Sequence, residues 1–117
     1  ISDMSNKSNT CNLLDDCTKE SNNYKLKNII KKYNFVCGIV TQKRLLDDDS
    51  KLYLTPGVHL KTSNNGDQKY RDVESAIIKD NCDIIIVGRG ILNSKNMEKQ
   101  AEIYKMLGWT SYMKKIA

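Results

Sequence analysis

Residues 83–90, Asp-Ile-Ile-Ile-Val-Gly-Arg-Gly, constrain this chain more than any other stretch. An acid opens a short run of β-branched residues, which stops abruptly at Gly88-Arg89-Gly90. An uninterrupted apolar run between turn signals predicts a strand buried on both faces, as in a parallel sheet covered by helices. The glycines at its C-terminal end allow close approach of backbone to a ligand, and Arg89 adds a planar cation. A phosphate group requires those two things. The same residues also describe a tight strand-to-helix turn with a surface arginine, and the stretch alone leaves both readings open.

The rest of the chain alternates in the same way. Residues 1–4 read as the tail of a strand, followed by a polar Ser/Asn/Lys segment. Residues 12–33 become helical in pattern from about Tyr24, with Lys25, Lys27, Lys31 and Lys32 around the apolar Leu26, Ile29 and Ile30. Phe35 to Val40 is a second strand, and Leu52-Tyr53-Leu54 a short third one, stopped by Thr55-Pro56-Gly57. Pro-Gly marks a turn. Residues 61–69 read as a polar loop. Asp72 caps a helix that runs through Ile78, with acids in its first turn. After the strand at 83–87, a closing helix starts near Ser94, with Met97, Ala101, Tyr104 and Gly108 at helical spacing. Strands alternating with helices predict an α/β fold with a parallel sheet. Neither a repeat nor a domain linker interrupts the pattern.

Composition narrows the function classes. At 117 residues the chain suits one small domain. No apolar run approaches the ~20 residues of a membrane span, and there is no signal-peptide pattern. The start at Ile1-Ser2-Asp3 suggests processing or truncation. The net charge of +5 comes mostly from dispersed lysines, with arginine only at 44, 71 and 89. A nucleic-acid face would cluster its cations among aromatics, so no nucleic-acid partner is expected. The cysteines at 11, 17, 37 and 82 form no Cys-x-x-Cys pair and His59 is the sole histidine, which argues against zinc. Unpaired thiols fit a reducing, cytoplasmic setting, with Cys37 and Cys82 as small buried hydrophobes. Asp47-Asp48-Asp49 reads as a solvated loop, since adjacent side chains do not point at one centre.

Three motifs, in order, carry a resemblance to a known family. Leu54-Thr55-Pro56-Gly57-Val58, then Gly66-Asp67-Gln68-Lys69-Tyr70, then Asp83 to Gly90 resemble the signature of orotidine 5'-monophosphate decarboxylase. The opening Asp3-Met4-Ser5-Asn6-Lys7 is similar to the family's Glu-Met-Ser-Ser-Lys-Gly segment after its fifth strand, and Phe35 to Ile39 to its sixth strand. Ala101 to Tyr104 with Gly108-Trp109-Thr110-Ser111-Tyr112 resembles the last helix of the eukaryotic enzymes, including the decarboxylase part of uridine monophosphate synthase. The sequence departs from the family at Asn6, at Ser8, in the Asn-rich stretch from Asn9 to Asn23, and at Asp67-Gln68-Lys69-Tyr70, where Gly-Gln-Gln-Tyr is common.

The resemblance implies a β/α barrel of which residues 1–117 would supply the C-terminal half, about strands five to eight. A complete barrel takes ~200 residues or more. It also implies a lyase of pyrimidine biosynthesis that removes CO2 from C6 of orotidine monophosphate to give UMP, without metal or organic cofactor. The partners implied are the N-terminal half of the barrel and a second copy in a homodimer. The family's catalytic Asp-x-Lys-x-x-Asp motif does not occur here, so no catalytic residue is expected in this chain. The implied roles are substrate binding. Ser5 would bond the pyrimidine edge, Pro56 would wall the base, and Gln68 and Tyr70 would sit on a loop that closes over the phosphate. Arg89, with the backbone of Gly88 and Gly90, would hold the phosphate. Two other readings stay open: a non-catalytic nucleotide-binding module, and a barrel enzyme acting on another ribose phosphate.

Overall fold

A computed structural model describes residues 14–61, 63–65 and 68–117. The expected strand tail at 1–4 lies outside them, as does Ser5. In chain order, helix α1 (Leu14–Lys32) leads to strands β1 (Gly38–Val40), β2 (Leu52–Thr55), β3 (Val58–His59), β4 (Ser63–Asn65) and β5 (Gln68–Asp72). A π-helical segment (Ser75–Lys79), strand β6 (Ile84–Ile85), a short helix α2 (Arg89–Leu92) and the long helix α3 (Met97–Ile116) follow.

The main sheet has the order β1-β2-β6, and every pairing in it is parallel. The α/β expectation therefore holds. Among the described residues the sheet does not close into a barrel; β1 and β6 are its two ends. Gly38 is tied to Leu52, its register partner, at close range. A Cβ at Gly38 would fall on the Leu52 carbonyl oxygen and 2.9 Å from the Leu52 Cβ, so the approach of β1 to β2 depends on glycine.

Side chains alternate across a sheet, and register partners share a face. Ile39, Tyr53, Thr55 and Ile85 therefore point one way. That face is covered. Ile30 of α1 packs with Ile39 and Tyr53, supported by Val36, Leu45 and Leu46. On the same side Val58, Val73, Ala76, Ile77, Cys82 and Tyr104 form the larger core, with Ile85, Val87 and Ile91 against it. Each fully buried Val or Ile among them contributes about 1.5–3 kcal/mol.

The opposite face holds Gly38, Val40, Leu52, Leu54, Ile84 and Ile86. There Leu52 is 46%, Ile84 42% and Ile86 38% exposed. This corrects the expectation that residues 83–87 are buried on both faces. The run is apolar on both sides, but only its Ile85 and Val87 side is packed by helices.

Four further expectations change. The loop at 61–69 contains β4 and the start of β5, paired antiparallel with Asn65 opposite Gln68. Only Gly66 and Asp67 separate those partners in sequence, a hairpin spacing. Helix α1 begins ten residues before Tyr24, at Leu14. Lys31 and Lys32 in its last turn suit the helix dipole. Cys37 is exposed, whereas Cys82 is buried as expected. In α3 the buried positions are Tyr104 and Ser111, while Met97 and Ala101 face outward because the first turns extend past the core.

Other local signals read correctly. The Asp72 carboxylate accepts from the Ser75 amide at 2.7 Å and from its hydroxyl at 3.1 Å, capping the helical turn. The closing helix, expected from near Ser94, starts at Met97, where Asn96 caps it by accepting from the Lys99 amide at 3.0 Å, a cap not anticipated from the sequence. The adjacent aspartates diverge: Asp48 accepts from Ser50 and Asp49 pairs with Arg44. The Ser50 bonds to its side chain and backbone hold the Asp48 carboxyl below the usual carboxylate value.

Candidate functional site

The parallel register of β2 and β6 brings two sequence motifs to one end of the sheet. Thr55 lies opposite Ile85, and the Ile86 amide donates to the Thr55 carbonyl at 2.9 Å. Pro56 is the next residue after Thr55, and Gly88 follows Ile86 by two. Both turns thus leave the C-terminal ends of neighbouring parallel strands, the side on which α/β proteins bind ligands.

The Pro56 turn is half-buried, and Gly57 has φ 70°, a left-handed conformation that favours glycine. The Gly57 carbonyl accepts from the Arg71 amide at 3.1 Å. Val58 and His59 then pair with Arg71 and Asp72. Strand β5, which carries Gln68 and Tyr70 in its backbone, is therefore anchored directly to the Pro56 turn. Arg71 adds a second anchor: its guanidinium donates to the Gln42 carbonyl and side chain and pairs with Asp80.

The second turn is held by its own backbone. The Gly88 carbonyl accepts from Ile91 at 3.0 Å and from Leu92 at 3.1 Å, and the Arg89 carbonyl accepts from Asn93 at 3.0 Å. The Ser94 hydroxyl closes the same turn by donating to the Ile91 carbonyl at 2.6 Å. Arg89 is left exposed on the outer side.

The structure thus gathers Pro56, Gly88 and Arg89 at one end of the main sheet and connects the backbone of Gln68 and Tyr70 to them through β5. Ser5 lies outside the described residues. Two residues were not anticipated there. Tyr104 of α3 and His59 of β3 meet beneath Gly90, with Tyr104 only 3% exposed. Burial pushes the Tyr104 hydroxyl above its ordinary value of 10.0, a shift that the adjacent Leu60 backbone opposes. Tyr104 had appeared only as an apolar position of a helix, and His59 only as an isolated histidine. Its place two residues past the Pro-Gly turn was the available clue.

A parallel α/β sheet with a Pro-Gly turn and a Gly-Arg-Gly turn side by side at its C-terminal end is the architecture of part of a β/α barrel. The comparisons narrow the class. Residues 1–104 match the profile of the Orotidine 5'-phosphate decarboxylase / HUMPS family. The chain is 41% identical over 93 residues to the uridine 5'-monophosphate synthase of Naegleria gruberi, a match covering 78% of this chain and 19% of that protein. It is 35% identical over 98 residues to the orotidine 5'-phosphate decarboxylase of Schizophyllum commune, covering 70% of this chain and 35% of the relative. With the uridine 5'-monophosphate synthase of Bos taurus the identity is 38% over 84 residues, covering 71% and 18%. This chain belongs to the orotidine 5'-phosphate decarboxylase family. It spans about a third or less of the length of these relatives.

Proposed function

We propose that this chain is the base- and phosphate-binding part of an orotidine 5'-monophosphate decarboxylase, corresponding to strands five to eight of its barrel. The observation that carries this reading is the placement of the Pro56 and Gly88-Arg89-Gly90 turns on neighbouring parallel strands. Arg89 and the amides of the turn bind the phosphate of orotidine monophosphate or UMP. Pro56 walls the base, Ser5 bonds the pyrimidine edge, and Gln68 and Tyr70 close over the phosphate from the β4–β5 hairpin.

The phosphate is remote from C6, where CO2 leaves. Its binding energy holds the loop closed and orients the ring, which lowers the barrier at the reacting carbon. The Lys/Asp chemistry belongs to the other half of the barrel, with a second subunit completing the site. The exposed face formed by Leu52, Ile84 and Ile86 supports this division, because a barrel interior would cover those side chains. In this reading the chain works in UMP biosynthesis in the cytoplasm.

The absence of Asp-x-Lys-x-x-Asp from the sequence favours a second reading, a nucleotide-binding module without chemistry. Turnover of orotidine monophosphate, followed by UMP formation, separates the two. The purified chain alone is expected to be inactive, and to gain activity when mixed with a family segment that carries the motif. If the mixture binds UMP yet stays inactive, the module reading stands instead. Turnover by the chain alone would contradict both.

A further inference from the structure

The two glycines of the Gly88-Arg89-Gly90 turn are not equivalent. A Cβ at Gly88 would meet nothing within 4 Å. A Cβ at Gly90 would land on the Tyr104 hydroxyl, 3.2 Å from Tyr104 Cζ and 3.3 Å from His59 Cδ2. The tyrosine ring cannot swing aside, because it is packed in the core with Val58, Val73, Ala76, Ile77 and Cys82. Gly90 is therefore seated on a fixed surface, and Gly88 is not.

The choice of tyrosine is informative. Its hydroxyl is buried beside the Leu60 backbone, without a well-formed hydrogen bond. Burying an unsatisfied hydroxyl is unfavourable, and phenylalanine would fill the same core without that cost. The oxygen is the atom that reaches the turn, at the position a Gly90 side chain would occupy. His59 closes the same spot from β3, the strand tied to Arg71 and Asp72 of β5. The seat thus joins the turn to the strand that carries Gln68 and Tyr70.

We propose that Tyr104 is a positioning residue for the phosphate grip, setting the height of the turn through Gly90 so that Arg89 and the turn amides address one phosphate monoester. The inference rests on the phosphate reading of that turn. Tyr104 itself touches no substrate; it acts through the backbone of Gly90.

A double-mutant cycle on the full chain tests this, with UMP and uridine as probes and Arg89→Ala as a reference. Gly90→Ala is expected to weaken UMP binding by about tenfold or more, and uridine binding little. Adding Tyr104→Phe removes the oxygen that the new methyl strikes, so the double variant recovers most of the loss. Tyr104→Phe alone weakens UMP binding by a smaller factor and leaves uridine unchanged. A merely structural role for Tyr104 would lower both ligands together and give no recovery. Additive effects, or equal losses for UMP and uridine, overturn the inference while loss of UMP affinity in Arg89→Ala leaves the phosphate reading intact. If Arg89→Ala binds UMP as the unaltered chain does, the phosphate reading fails and the inference with it.

Discussion

Asp83 and Tyr53 are joined by reciprocal hydrogen bonds: the Tyr53 amide donates to the Asp83 carboxylate at 2.9 Å, and the Asp83 amide to the Tyr53 carbonyl at 2.8 Å. This pair aligns β6 on β2 just before the paired residues begin, and so sets the register that places the Pro56 and Gly88 turns together. Lys115 of α3 adds a hydrogen bond to the Cys82 carbonyl at 3.1 Å and lies 3.9 Å from the Asp83 carboxylate. Asp83→Ala strands the Tyr53 amide and is expected to destabilise the chain by about 1–3 kcal/mol in urea unfolding. Asp83→Asn keeps an acceptor oxygen and should lose less. Equal stability of Asp83→Ala and the unaltered chain would show that the register is held elsewhere.

Gly38 makes the corresponding demand at the other end of the sheet. Gly38→Ala forces a methyl against the Leu52 carbonyl and Cβ. Overpacking of this kind costs about 1–3 kcal/mol, so thermal unfolding should shift down by several degrees. An unchanged melting temperature would mean that β1 is free to move away from β2.

Buried tyrosines give the chain an alkaline limit. Burial raises the hydroxyls of both Tyr53 and Tyr104 above their ordinary value of 10.0. Below that value both are protonated, folded or unfolded, and their contribution to stability is complete. As pH climbs past it, the unfolded chain releases the protons first, and stability is lost on the way up through the folded values. Thermal melts between about pH 8 and pH 11 should fall, and Tyr104→Phe should fall less steeply. Parallel profiles for the two chains would contradict a buried Tyr104 hydroxyl.

Thiol chemistry separates two of the cysteines. Burial pushes the Cys82 thiol up and removes it from solvent, whereas Cys37 is exposed. Peptide mapping after brief alkylation at neutral pH should find Cys37 modified and Cys82 intact until denaturant is added. Early modification of Cys82 would show that the larger core opens readily.

Much of this arrangement was legible in the residues. Pro56-Gly57, the Asp72 cap and the run ending at Gly88 are short-range signals, and each lies where local chemistry puts it. What the residues did not reveal is long-range. Ile84 and Ile86 look identical in sequence to Ile85, and only the tertiary position of α3 and the π-helical segment decides which side is covered. Residues 63–69 are polar throughout, so pairing of Asn65 with Gln68 left no hydrophobic alternation to read. Gly90, Tyr104 and His59 come from three separate elements, and their meeting follows from the packing of α3. The Gly88-Arg89-Gly90 turn was visible in the sequence; the Tyr104 and His59 side chains beneath it were not.

The central claim is that Arg89, at the start of α2 just after β6, grips a nucleotide through its phosphate. Calorimetric titration of UMP and uridine into the chain and into Arg89→Ala measures this directly. We expect UMP to bind the unaltered chain more tightly than uridine, and Arg89→Ala to lose that preference, about 1.5–3 kcal/mol for a charge-assisted bond. Retention of the full UMP preference by Arg89→Ala would contradict the assignment.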